Sequence, residues 1–156
     1  MRRNKATFIY ASLGALLVIG LFAYPRLFNP DKKLIASIQR MGLECLPGHQ
    51  RLNQHFHPHI TIMVDGLEEP ILANIGIFRN CMAEIHTHDT TGTIHVESIL
   101  PAKTFYLKSF FEVYGKSVER EGYTTEMEMN GAPNGEFGNL VLEEGQQIVL
   151  KYTRKQ

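Results

Sequence analysis

The chain has 156 residues, 44% of them hydrophobic and 21% charged, which suffices for one ordinary core plus an appendage and is too little for two. Its 16 basic and 16 acidic side chains cancel, so no global field recruits nucleic acid, and a nucleic-acid partner is not expected. Of its 7 histidines, all but one fall in two clusters, His55/His57/His59 and His86/His88/His95, and that clustering points to chemistry.

In chain order, residues 1–26 read as a basic start and a transmembrane anchor. Arg2, Arg3 and Lys5 precede Ala6 to Tyr24, a run without charge that is close to the ~20 residues a helix needs to cross a bilayer. Basic residues stay inside, which predicts a single-pass protein with a cytoplasmic N-terminus and an extracytoplasmic C-terminal domain. A cleavage after Ala23 would need a small residue where Leu21 stands, so an uncleaved anchor is expected. Residues 27–42 form a linker with a short amphipathic helix. Asn29 and Pro30 mark its start, Leu34, Ile35, Ile38 and Met41 its apolar face, and Gly42 its end.

Residues 43–156 make the predicted His-rich α+β domain. In HFHPHITIMVDG the alternation puts His55, His57, His59 and Thr61 on one side of a strand and Phe56, Ile60, Ile62 and Val64 on the other. Pro58 cannot donate to a ladder and suggests an edge. Asp65-Gly66 supplies a turn, and Pro70 to Ile77 reads as the returning strand. Cys81 to Ser98 follows as a hairpin. Closing it at Asp89-Thr90-Thr91-Gly92 pairs His88 with Thr93 and His86 with His95, and sets Glu84 opposite Glu97. Ile85, Thr87, Ile94 and Val96 take the other face. Leu107, Phe110, Phe111 and Tyr114 recur at helical spacing with Gly115 as the stop. Tyr123 to Met129 is a strand ending at Asn130-Gly131, and the segment from Leu140 to Tyr152 folds back over Glu144-Gly145. This order predicts one small domain with a mostly antiparallel or mixed sheet packed on a helix, β-grasp-like in outline.

Imidazoles two apart on a strand share a face, and two such clusters with an added carboxylate supply the ligands that transition-metal sites use. The expected ligand set is His55, His57, His59, His86, His88, His95 and Glu97, holding one metal ion, copper or zinc. The rival reading of exposed or core histidines bonded to carbonyls needs no metal. Asp89 reads as the residue that closes the turn in preference to an orienting acceptor. Cys45 and Cys81 are expected to be bonded in an oxidising compartment. The competing reading is thiolate ligation of Cu(I), with Met63 and Met82 nearby.

Cys45, His55-Phe56-His57-Pro58-His59, Asp65-Gly66, Ala73 to Ile77, Cys81 and the run from His86 to Ser98 carry a resemblance. It continues through Leu107, Phe110-Phe111, Tyr114-Gly115 and Asn130-Gly131. Over roughly residues 43 to 152 the chain resembles an uncharacterised family of secreted or membrane-anchored bacterial and archaeal proteins. The resemblance implies that these residues form one site, and it implies no reaction.

Three functions follow as expectations. The first is a membrane-anchored extracytoplasmic protein that binds copper or zinc. The second is a metal-dependent enzyme, a hydrolase or oxidoreductase, with Glu97 or Asp89 as base. The third is a disulfide-stapled surface interaction domain without metal.

Overall fold

The structure is a computed structural model that describes residues 30–46, 51–79 and 81–156. Two compact units divide the chain, Met1–Leu34 and Ile35–Gln156. The predicted anchor, Ala6 to Tyr24, its basic start and the Asn29 cap lie outside the described residues. Among the described residues no helix is long and apolar enough to cross a membrane.

The described residues are mostly β, built from three small sheets with two α-helices, and this corrects the expectation of an α+β, β-grasp-like sheet on one helix. Helix α1 is Pro30–Arg40. Gly42, at φ 74°, stops it, and Leu43 N–H closes on the Ile38 carbonyl at 3.1 Å. The first sheet joins β1 (Cys45–Leu46), β5 (Ile77–Phe78) and β6 (Cys81–Ala83) in the order β1-β6-β5. The second takes β3 (His59–Val64), β4 (Leu67–Glu69), β9 (Tyr123–Met129), β10 (Ala132–Pro133) and β11 (Gln147–Arg154) in the order β10-β9-β11-β3-β4. Its β11–β3 pair is parallel. The third holds β2 (Gln54–Phe56), β7 (Ile85–His86) and β8 (His95–Ser98), with β8 in the middle.

The single sheet fails at two interruptions. Pro58 has no N–H to donate, and the run expected to be one histidine strand divides there: β2 stays beside β8, while β3 enters the second sheet between β11 and β4. At Glu84 the chain bends, so β6 pairs with β1 and β7 with β8. The returning strand is also displaced. Asp65 (φ 49°) and Gly66 (φ 84°) form a two-residue turn that leads directly into β4, and Pro70 to Gly76 is irregular where a strand was expected. Likewise Leu140 to Leu142 does not fold back on β11. It lies against the start of the second helix, with Leu107 N–H on the Leu140 carbonyl and Leu142 N–H on the Phe105 carbonyl, both at 2.9 Å.

Helix α2 spans Leu107–Tyr114, as its spacing predicts, and ends in the left-handed Gly115. Leu107, Phe110 and Phe111 join the core with Ile60 and Ile62 of β3, alternate residues Ile148, Leu150 and Tyr152 of β11, and Ile85, Ile94 and Val96. The core therefore lies beneath the apolar face of the third sheet, and the histidines take the opposite face, which runs from the buried His86 to the exposed His55.

A candidate metal centre on the third sheet

The site begins with parity on three neighbouring strands. His55 faces Glu97 and Phe56 faces Val96 between β2 and β8, while Ile85 faces Val96 and His86 faces His95 between β8 and β7. Side chains alternate, so Val96 and Ile85 are buried in the core and His95, Glu97, His55 and His86 share the opposite face. His57, one residue beyond β2, lands level with His95. The predicted pairing of His86 with His95 is present, and Glu97 N–H reaches the Glu84 carbonyl at 2.8 Å.

Four imidazoles, those of His55, His57, His86 and His88, gather around His95. Its ring lies 4.7 Å from His57 and 4.5 Å from His88, in both cases nearly perpendicular, and 5.4 Å from the stacked ring of His86. His55 lies 4.6 Å from His57. Two groups of three follow, His55/His57/His95 and His86/His88/His95, each with ligand nitrogens within 4.8 Å of one another, and either could hold a metal ion. Of the first predicted cluster, His55 and His57 converge on the second, with His95 common to both groups, and His59 does not.

The His86/His88/His95 triad is set from behind. His86 is fully buried, and its Nδ1–H donates to the Ala83 carbonyl at 2.9 Å. That leaves the lone pair on Nε2, which faces Nε2 of His88 at 3.2 Å. Thr87 fixes the strand between them: its N–H bonds the Ile75 carbonyl, and its hydroxyl donates to Leu72 and accepts from Ile75 N–H. Gly76 makes the close approach possible. A Cβ there would sit 2.7 Å from the Ile85 carbonyl oxygen and 3.2 Å from the Cβ of His86.

The second triad is more open and carries carboxylates. Glu97 Oε1 is 3.5 Å from His55 Nε2. Glu144, expected only as a turn residue, accepts the His57 backbone N–H at 2.7 Å and lies 3.8 Å from that ring's Nδ1.

Burial holds His86 well below the ordinary imidazole range, at about 4, and the neighbouring His88 and His95 charges add to this while the Ala83 carbonyl opposes it. His95 is likewise lowered to about 4, first by burial and then by the charges of His88, His57 and His55. Both rings are therefore neutral at pH 7, the form that binds metal.

His59 stands apart from the groups. Its Nε2–H donates to the Thr91 carbonyl at 2.8 Å, and its ring braces the loop that follows His88. The loop is wider than the predicted turn: Thr93 bridges to His59, not to His88, and Ile60 N–H and Ile94 N–H bond the Gly92 and Pro58 carbonyls at 2.9 Å. Gly92, at φ 90°, is required there, since a Cβ would meet the Ile60 carbonyl oxygen at 2.2 Å. Asp89 closes the loop, accepting from Thr91 N–H at 2.9 Å and Thr91 hydroxyl at 2.6 Å, and these bonds lower its pKa.

Cys45 and Cys81 are joined in a disulfide, with Cα atoms 4.9 Å apart, so thiolate ligation by this pair is ruled out. Next to the bridge lies a second feature that sequence reasoning missed. Glu84 is fully buried; its carboxylate pairs with Lys103 and accepts from Ser98 hydroxyl at 2.7 Å and Glu44 N–H at 2.9 Å. Parity assigned Glu84 to the histidine face, but the bend turns it inward. No protein-family model, curated protein or solved structure matches the chain.

Proposed function

We propose that this protein is a membrane-anchored, extracytoplasmic binder of copper or zinc, with His86, His88 and His95 as the first site filled. The observation that carries the reading is the His86 triad: three imidazole nitrogens within 4.8 Å, one of them on a buried ring whose tautomer is fixed by Ala83. A carbonyl acceptor behind a ligand imidazole is the arrangement that orients metal-binding histidines. An all-nitrogen set suits zinc and copper, and copper(II) binds such sites most tightly among first-row divalent ions. The outside location is supported by the uncharged run after a basic start and by the disulfide, which persists in oxidising compartments.

The test is a titration of the full chain in detergent with zinc and copper(II), beside His95→Ala. His95 belongs to both triads, so the variant should lose more than the roughly 10–100-fold in affinity that removal of an outer partner costs. Equal, weak binding by the two folded proteins would refute the site. For the location, release of the full-length protein by alkaline carbonate would refute the anchor.

A further inference from the structure

We propose that the protein holds two ions at once, one in each triad, with His95 bridging them through its two ring nitrogens. This rests on the metal reading above and extends it from one site to two.

The sheet sets the spacing. His57, His95 and His86 stand level on or beside three successive strands, β2, β8 and β7. Neighbouring strands are ~4.8 Å apart, so the flanking backbones are separated by roughly 9.5 Å. Zinc lies ~2.0–2.1 Å from each imidazole nitrogen, which puts tetrahedral ligand atoms about 3.3 Å from one another. An ion beside His95 can thus gather one flank while the other flank still offers two imidazoles. The histidines group accordingly, His55 and His57 coming from the β2 side of the His95 strand and His86 and His88 from the β7 side.

Each flank is equipped separately. The His86 side has the Ala83 carbonyl behind its buried ring. The His55/His57 side has the carboxylates of Glu97 and Glu144, 3.5 Å and 3.8 Å from its two rings. Two dications near one another repel, and negative groups are needed around the pair. Glu97 and Glu144 supply charge on the open side, and the bridging ring supplies more. When the second ion binds, the remaining N–H bond of His95 breaks, a metal–nitrogen bond forms, and the proton passes to solvent. No electron is transferred.

The experiment is a copper(II) titration of the full chain in detergent, read by equilibrium dialysis for stoichiometry and by electron paramagnetic resonance for coupling. Two coppers per chain are expected, and filling the second should lower the integrated signal below that of two isolated ions because the shared ring couples the spins. His55→Ala/His57→Ala and His86→Ala/His88→Ala should each bind one copper with full intensity. The glutamine pairs serve if an alanine pair loses its circular dichroism. Saturation of the parent protein at one copper would overturn the proposal and leave the metal site standing, the triads then being alternative seats for one ion. Two coppers with a doubled, uncoupled signal would overturn the bridge. No bound copper would refute the metal reading itself.

Discussion

The ring of His86 donates its Nδ1–H to the carbonyl of Ala83 at 2.9 Å, and that bond decides which nitrogen faces the histidine cluster. Ala83 ends β6, the short strand that begins at Cys81 of the disulfide. The staple and the candidate metal ligand are thus linked by two steps along β6 and one hydrogen bond. Replacing Cys45 and Cys81 by serine should cost about 2–4 kcal/mol of stability. It should also weaken metal binding, because β6 is held to β1 by few other residues. Urea unfolding and a zinc titration on the double variant check both. Unchanged affinity in a folded variant would disconnect the bridge from the site.

The metal-free protein should lose stability on acidification between pH 6.5 and 4. His86 and His95 have folded pKa values near 4, below the ordinary 6.5, so the unfolded chain takes up protons in that window that the folded chain resists. The stabilisation is complete above pH 6.5 and is lost as pH falls toward 4. For the buried His86 alone the limit is on the order of 3 kcal/mol. Urea midpoints at pH 7 and 4.5 should therefore differ less in His86→Gln than in the parent chain. Equal pH dependence would show that His86 carries no such linkage.

Parity along each strand made His86, His95 and Glu97 legible as one face, and the count of two cysteines, with the expectation of export, made the disulfide legible. The 3.6-residue spacing gave α2 and its Gly115 stop. Other parts depend on distant partners that no local pattern contains. The alternation of His55, His57 and His59 looked continuous, but Pro58 sends His59 to another sheet, where it braces Thr91. Glu144 reaches His57 from the far end of the sequence, and Glu84 finds Lys103 only because the chain bends.

Glu84→Ala should destabilise strongly. It would leave Lys103, mostly buried, without its counter-charge, and the Ser98 hydroxyl and Glu44 N–H without an acceptor. Breaking a buried pair from one side costs roughly 3–5 kcal/mol. Chemical denaturation is the measurement, and a loss under about 1 kcal/mol would show that water replaces the carboxylate.

Gly92→Ala should cost more than Gly135→Ala by roughly 2 kcal/mol or more. The first places a Cβ against the Ile60 carbonyl at positive φ, whereas the second meets open space. The same substitution should lower metal affinity, since Gly92 seats the loop between His88 and His95. Parallel urea curves and zinc titrations compare the two variants; equal behaviour would remove the loop from the account.

The most direct measurement is X-ray absorption on the zinc- or copper-loaded full chain. Imidazole coordination predicts a first shell of nitrogen scatterers at about 2.0–2.1 Å with the outer-shell pattern of ordered histidine rings, reduced when His95 is replaced by alanine. A shell of oxygen alone, or a spectrum indifferent to His95, would contradict metal binding by this cluster.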